Sequence, residues 1–159
     1  MKRIFALLLV TIIAFSCEKE YYTTIPSSPV SVKLDLANAD FSLNTSLSYK
    51  IFTQPRYGTD KLGFGGILVI NGMGVNTVNF FAYDLSCPVE ALRRVRVVPD
   101  NLGSSTSSAV PTAVTATCPE CGAIFNIANG SGRPQSGTKY SLRSYRVIGN
   151  GGMQYTVIN

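Results

Sequence analysis

Short apolar or alternating runs, separated by clusters of glycine, asparagine and proline, extend along most of the chain after residue 29. Valine, isoleucine, phenylalanine and tyrosine dominate these runs, and no stretch keeps the 3.6-residue apolar repeat of a helix. We therefore expect an all-β fold, either an antiparallel sandwich or a partly closed barrel. The predicted strands cover residues 30–36, 48–52, 66–70, 77–83, 95–98, 114–117, 123–127, 144–148 and 154–158.

Turn-forming residues between these runs predict how some of the strands connect. Asn71-Gly72 and residues 149–152 adopt positive φ readily, so we expect hairpins there and pairing of the last two strands. Gly63-Phe64-Gly65-Gly66 opens no helix and has no Lys-Ser/Thr after it, so it predicts a strand-entry turn and not a phosphate loop. The serine-rich residues 103–108 indicate an exposed loop.

Residues 1–16 follow a different pattern. Lys2 and Arg3 precede a largely apolar stretch that is shorter than the roughly twenty residues of a membrane-spanning helix, so we predict a cleaved signal peptide. Residues 14–17, Ala-Phe-Ser-Cys, resemble a bacterial lipoprotein signal. The resemblance implies that Cys17 is acylated and holds the protein on a membrane without crossing it.

The residues after Cys17 predict a location and a tether. Glu18-Lys19-Glu20 resembles the short acidic signals of Bacteroidetes lipoproteins exposed on the cell surface, although a solvated tether explains the same residues. We therefore expect an envelope protein on the outer membrane, and both the periplasmic and the exposed side stay open. Residues 17–29 predict a lipidated N-terminus and linker, and residues 30–159 a single domain.

Charge and composition exclude several functions. The chain carries 14 Lys and Arg against 9 Asp and Glu, and two of the basic residues lie in the signal peptide, so a nucleic-acid partner is not expected. Strand alternation accounts for the basic cluster of Arg93, Arg94 and Arg96. Because the chain has no histidine, it has no imidazole base, no Ser-His-Asp triad and no histidine-ligated metal.

Three cysteines remain once Cys17 is acylated, and an odd number in an oxidising compartment implies a free thiol, an intermolecular bridge or metal ligation. Strand-like residues follow Cys118-Pro-Glu-Cys121, whereas a thioredoxin-type pair begins a helix. A zinc knuckle needs a second close pair, and Cys87 has only Val89 beside it. Three thiolates with an outside ligand still suffice to bind a metal.

The sequence around these cysteines resembles the Rieske [2Fe-2S] domain family. In that family a strand delivers Cys-x-His, and a later loop delivers Cys-x-x-His-Gly before an aromatic strand, a glycine turn and two closing strands. The segments that carry the resemblance are 66–70, 80–88 (FFAYDLSCP), 118–126 (CPECGAIFN) and 129–145. The resemblance covers about residues 62–159, and implies a small subdomain with two cluster-binding loops at about 84–92 and 116–125.

This chain departs from the family at the ligands themselves. Cys87 and Cys118 occupy the cysteine places, whereas Val89 and Cys121 occupy the histidine places, and valine cannot ligate. Two histidines raise Rieske potentials to roughly −150 to +300 mV, so no conventional centre is expected. Three alternatives remain. Oxidising conditions favour the first, in which no cofactor binds and the cysteines form a disulfide or stay as free thiols. The other two are a [2Fe-2S] cluster with a borrowed ligand and a single thiolate-bound metal.

The sequence favours a non-catalytic binding or structural module of the envelope, anchored to the membrane by lipid. The alternative is an electron-transfer protein with an atypical cluster or a thiolate-bound metal. Asp84, Glu90 and Glu120 lie near the predicted loops, but isolated carboxylates there usually bond turn amides, so a hydrolase is not expected. No feature of the sequence indicates a protein partner.

Overall fold

The computed structural model describes residues 21–73, 79–102 and 110–159. The expected signal peptide, Cys17 and the serine-rich loop lie outside these residues. Eleven strands in the described ranges form two antiparallel sheets, which confirms the all-β prediction. No helix in this part of the chain has the length and apolar character needed to cross a bilayer.

The larger sheet has seven strands and curls into a half-barrel. Its order in space is β2 (Tyr49–Phe52), β4 (Ile67–Asn71), β5 (Phe80–Asp84), β10 (Ser144–Gly151), β11 (Gln154–Ile158), β1 (Val30–Asp35) and β3 (Lys61–Leu62). A 3-10 turn, Phe41–Asn44, precedes β2. β10 and β11 pair as predicted, and Gly151 and Gly152 have positive φ in the turn between them.

The smaller sheet has the order β6 (Val98–Asn101), β7 (Ala113–Thr117), β8 (Ile124–Asn126) and β9 (Pro134–Ser136). The strand predicted over residues 95–98 is wrong in its bounds, since β6 begins at Val98. Val95 and Val97 do alternate with exposed arginines, but their backbone pairs with the loop that carries Cys87. Cys87 donates its N–H to the carbonyl of Val95 at 2.9 Å, and Val97 donates to Leu85 at 2.8 Å.

Two hydrophobic cores lie on opposite faces of β4, and this explains its uninterrupted apolar sequence. Ile67 and Val69 pack into the core enclosed by the larger sheet, whereas Leu68 and Ile70 pack into the core against the smaller sheet. All four side chains are fully buried, and burying each contributes about 1.5–3 kcal/mol. The second of these cores includes two of the cysteines and positions the site described below.

The N-terminal segment lies against the domain and is not a free linker over residues 22–25. Ile25 is only 1% exposed, and Arg143 donates Nε and Nη2 to its carbonyl at 2.9 and 2.6 Å. The hydroxyl of Thr24 donates to the carbonyl of Pro88. The proline and serine residues at 26–29 have the composition of a linker, but these tertiary contacts determine the conformation of the segment before them.

Candidate metal centre

Two loops bring three cysteines together between the sheets. Loop 1 (residues 85–97) joins β5 to β6 and carries Cys87, and loop 2 (residues 118–123) joins β7 to β8 and carries Cys118 and Cys121. Their Sγ atoms all lie within 4.8 Å of one another, and those of Cys87 and Cys121 are 3.6 Å apart. The structure therefore groups the three cysteines that the sequence analysis names as metal or disulfide candidates.

The two loops fold into the same five-residue turn. Cys87-Pro-Val-Glu-Ala91 in loop 1 has the pattern of Cys118-Pro-Glu-Cys-Gly122 in loop 2. Ala91 donates its N–H to the carbonyl of Cys87 at 2.9 Å, and Gly122 donates to Cys118 at the same distance. Both closing residues have positive φ, 50° at Ala91 and 70° at Gly122.

Burial matches at the first, third and fourth positions of the two turns, whereas at the second position Pro88 is buried and Pro119 is exposed. The first residue of each, Cys87 or Cys118, is fully buried. The third residue, Val89 or Glu120, is exposed, with 37% of Val89 accessible. The fourth residue is half-buried in both, Glu90 in loop 1 and Cys121 in loop 2. Val89, the substituted histidine place of the family resemblance, thus lies at the surface of its turn.

The two buried thiols differ in acidity. Burial raises the pKa of Cys87 to about 12, although the backbone N–H groups of Glu90 and Val89 oppose the effect. Burial also acts to raise the pKa of Cys118, but the N–H of Cys121 and the neighbouring thiols outweigh it and lower that pKa below its ordinary value. Of these two buried thiols, Cys118 is therefore the better prepared to meet a cation as a thiolate.

Asp84 is a structural carboxylate that fixes the start of loop 1. It is fully buried, and each of its oxygens accepts two hydrogen bonds. The donors are the backbone N–H groups of Phe64 (2.7 Å), Gly65 (3.0 Å) and Ser86 (2.9 Å) and the hydroxyl of Tyr145 (2.8 Å). The amides of Phe64 and Gly65, in the turn before β4, therefore bind the carboxylate of Asp84. Both oxygens of Asp84 are already used as hydrogen-bond acceptors.

The sulfur separations suit one ion better than a two-iron cluster. A tetrahedral ion with metal–sulfur bonds of about 2.3 Å holds two sulfurs about 3.8 Å apart, which falls within the range of this group. Ligands on different irons of a [2Fe-2S] core lie further apart, because sulfides bridge the irons. Because the chain has no histidine, these residues do not fit the conventional Rieske centre.

The structure shows free thiols at the three described cysteines. The 3.6 Å between the Sγ atoms of Cys87 and Cys121 is well beyond the roughly 2.05 Å of a disulfide bond. The expected disulfide is therefore not shown, and it stays a prediction for the oxidised protein.

No family model, no curated protein and no solved structure matches the chain. The resemblance to the Rieske family therefore stays a prediction that rests on the quoted segments. Sequence reasoning missed one feature of the site, which is the equivalence of Glu90 and Cys121 in their turns. The repeated Cys-Pro dipeptide was the available signal for it.

Proposed function

We propose that the protein is a lipid-anchored binding module of the bacterial envelope whose β domain holds one thiophilic metal ion between loops 1 and 2. The observation that carries the proposal is the convergence of three sulfurs within 4.8 Å from two separate loops. Thiolate ligands select soft or borderline ions such as Cu(I) and Zn(II). No catalytic role is included, since Asp84 already accepts four internal hydrogen bonds.

The surroundings of the sulfurs support binding of an ion. Cys87 and Cys118 are the buried first residues of their turns, and their N–H groups donate to the carbonyls of Val95 and Ala123, both at 2.9 Å. Little reorganisation is needed before an ion meets these two sulfurs. Cys121 is only half-buried, so the ion has a path from solvent to the group.

Cobalt provides the test of the metal site. The full chain, purified reduced and without oxygen, should bind Co(II) with thiolate charge-transfer absorption that saturates at one ion per chain, and the ion should protect the three cysteines from alkylation. Cys121→Ser should weaken both effects. Alkylation at equal rates with and without Co(II) would contradict the site. Stoichiometric iron and acid-labile sulfide in the purified protein would instead support the electron-transfer alternative.

The lipid anchor needs a separate experiment. The wild-type chain should fractionate with membranes and carry a diacylglyceryl group on Cys17, whereas Cys17→Ser should release the protein into the soluble fraction. An unmodified Cys17 in mature protein, or a variant that stays in the membrane, would contradict the anchor. Either result leaves the metal site untouched.

One observation favours a second candidate, a structural module without a cofactor. Cys87 and Cys118 belong to the hydrophobic core between the sheets and pack there as small apolar side chains. Unfolding separates the two candidates. If the protein binds the ion, a free ion concentration of a hundred times the dissociation constant adds about 2.7 kcal/mol to the free energy of unfolding. If the cysteines are purely structural, the ion leaves the free energy of unfolding unchanged.

A further inference from the structure

We infer that Glu90 is the fourth ligand of the metal site and that the site takes a four-coordinate divalent ion such as Zn(II). This inference rests on the proposed metal-binding function. Three thiolates leave a tetrahedral ion one ligand short, and structural zinc sites are almost always four-coordinate. The question is which residue the fold places opposite the three sulfurs.

The equivalence of the two turns identifies this residue. They share the Cys-Pro-x-x sequence, the closing hydrogen bond of 2.9 Å and the positive φ that follows. Because backbone conformation sets the direction of Cβ, the fourth residue leaves the backbone in the same direction in both turns. Cys121 is the fourth residue of loop 2, and Glu90 is the fourth residue of loop 1.

The fourth position of loop 2 shows where such a side chain goes. The sulfur of Cys121 lies 3.6 Å from that of Cys87, which is the first residue of the opposite turn. We expect the fourth position of loop 1 to have the same relation to Cys118, the first residue of loop 2. Glu90 and Cys121 are both half-buried, as positions at the rim of the group should be.

The chemistry of the carboxylate fits this place. Glutamate oxygens bind zinc at about 2.0–2.2 Å. The carboxylate of Glu90 is not among the atoms grouped within 4.8 Å, so the side chain has to rotate towards the ion. It is longer than cysteine and half-buried, so its carboxylate is only partly enclosed by the protein. An oxygen ligand favours Zn(II) over Cu(I), which prefers sulfur alone.

The competing place for a fourth ligand is Val89, where the Rieske resemblance puts a histidine. Val89 is the third residue of its turn and is exposed, and so is its counterpart Glu120. The third position therefore faces solvent in both loops. This contrast provides a matched control, because a cysteine at residue 89 or at residue 90 adds the same thiol to adjacent positions of one turn.

The experiment compares Co(II) and Zn(II) binding by the full chain and three variants under anaerobic reducing conditions. We expect Glu90→Gln to keep one bound ion but lose affinity by about 10–100-fold. Glu90→Cys should bind Co(II) about 10-fold more tightly or better, with charge-transfer intensity raised by about a third, because four thiolates replace three. Val89→Cys should match the wild-type affinity and spectrum. Circular dichroism of the metal-free variants checks that each one folds.

The outcomes separate this inference from the proposed function. If Glu90→Gln binds as tightly as wild type with the same spectrum, Glu90 is not a ligand, although the three-thiolate site stands. If Val89→Cys gains the fourth thiolate and Glu90→Cys does not, the equivalence of the turns is wrong. If the wild-type chain binds neither ion, the metal-binding function itself is overturned.

Discussion

Loops 1 and 2 contain the same turn, but the protein maintains it by different means in each. Loop 2 is a short connection between adjacent strands of one sheet, and Gly122 takes its positive φ without strain. Loop 1 runs from the larger sheet to the smaller one and has Ala91 at the same place, with φ of 50°. Local sequence is thus sufficient for loop 2, whereas loop 1 depends on its surroundings.

The contacts around loop 1 show what these surroundings are. Asp84 binds the amide of Ser86 at the start of the loop, at 2.9 Å. Further along, Arg96 donates Nε to the carbonyl of Gly65 at 2.6 Å, and the guanidinium of Arg93 lies 4.6 Å from the ring centroid of Phe64. A metal site assembled from such loops has one half fixed locally and one half fixed by tertiary contacts.

The largest expected effect concerns the sulfurs themselves. Cys87→Ser and Cys118→Ser should each lower Co(II) affinity by more than ~100-fold, a larger loss than at Glu90, because a thiolate binds such an ion more strongly than a carboxylate oxygen does. Competition with a chromophoric chelator measures the loss. A loss confined to Cys118→Ser would show that loop 1 provides no sulfur ligand and would break the comparison between the loops.

The next effect concerns the aspartates near each loop. Asp84→Asn should lower the free energy of unfolding by about 3 kcal/mol, because an amide replaces a buried carboxylate that accepts four hydrogen bonds. Asp100→Asn is the matched control. Asp100 is half-buried and, among the described residues, accepts from the hydroxyls of Thr115 (2.7 Å) and Thr117 (2.9 Å) on the strand before loop 2.

Asp100→Asn should therefore cost about 1 kcal/mol. Urea unfolding of the metal-free variants measures both changes. Equal costs at Asp84 and Asp100 would show that loop 1 does not depend on its buried carboxylate.

The smallest effect concerns the residues that close the turns. Ala91→Gly should raise the free energy of unfolding by about 0.5–1 kcal/mol, because glycine relieves the positive φ. Gly122→Ala should lower it by about 1–2 kcal/mol for the opposite reason. An added Cβ at Gly122 meets no atom within 4 Å, so the cost comes from the backbone alone. Changes of the same sign in thermal unfolding would contradict the shared conformation.

The sequence predicted those parts of the fold whose signals are local. The glycines within residues 149–152 predict the β10–β11 hairpin, and the short apolar runs predict the all-β fold class. β3 and β9 were missed because they are short and partly polar. Ile25 was assigned to a linker because Pro26 and Pro29 follow it, although tertiary contacts bury its side chain.

The candidate site was predictable in part. Its three cysteines were named from the Cys-x-x-Cys spacing and the family resemblance, and the structure groups them. The place of Glu90 was not predictable in this way. A glutamate and an alanine stand where the other turn has cysteine and glycine, so the backbone hydrogen bonds show an equivalence that the residue types conceal.

On the proposed lipid anchor, the docked N-terminal segment limits where the site operates. Six residues lie between Cys17 and Thr24, whose hydroxyl contacts Pro88 beside Cys87, and the stretch from residue 17 to residue 24 spans at most about 25 Å. With Cys17 acylated, the sulfurs stay within a thin layer above the lipid headgroups and do not sweep through the bulk solution. On the proposed function, a second membrane-bound molecule could then reach the ion by moving along the bilayer.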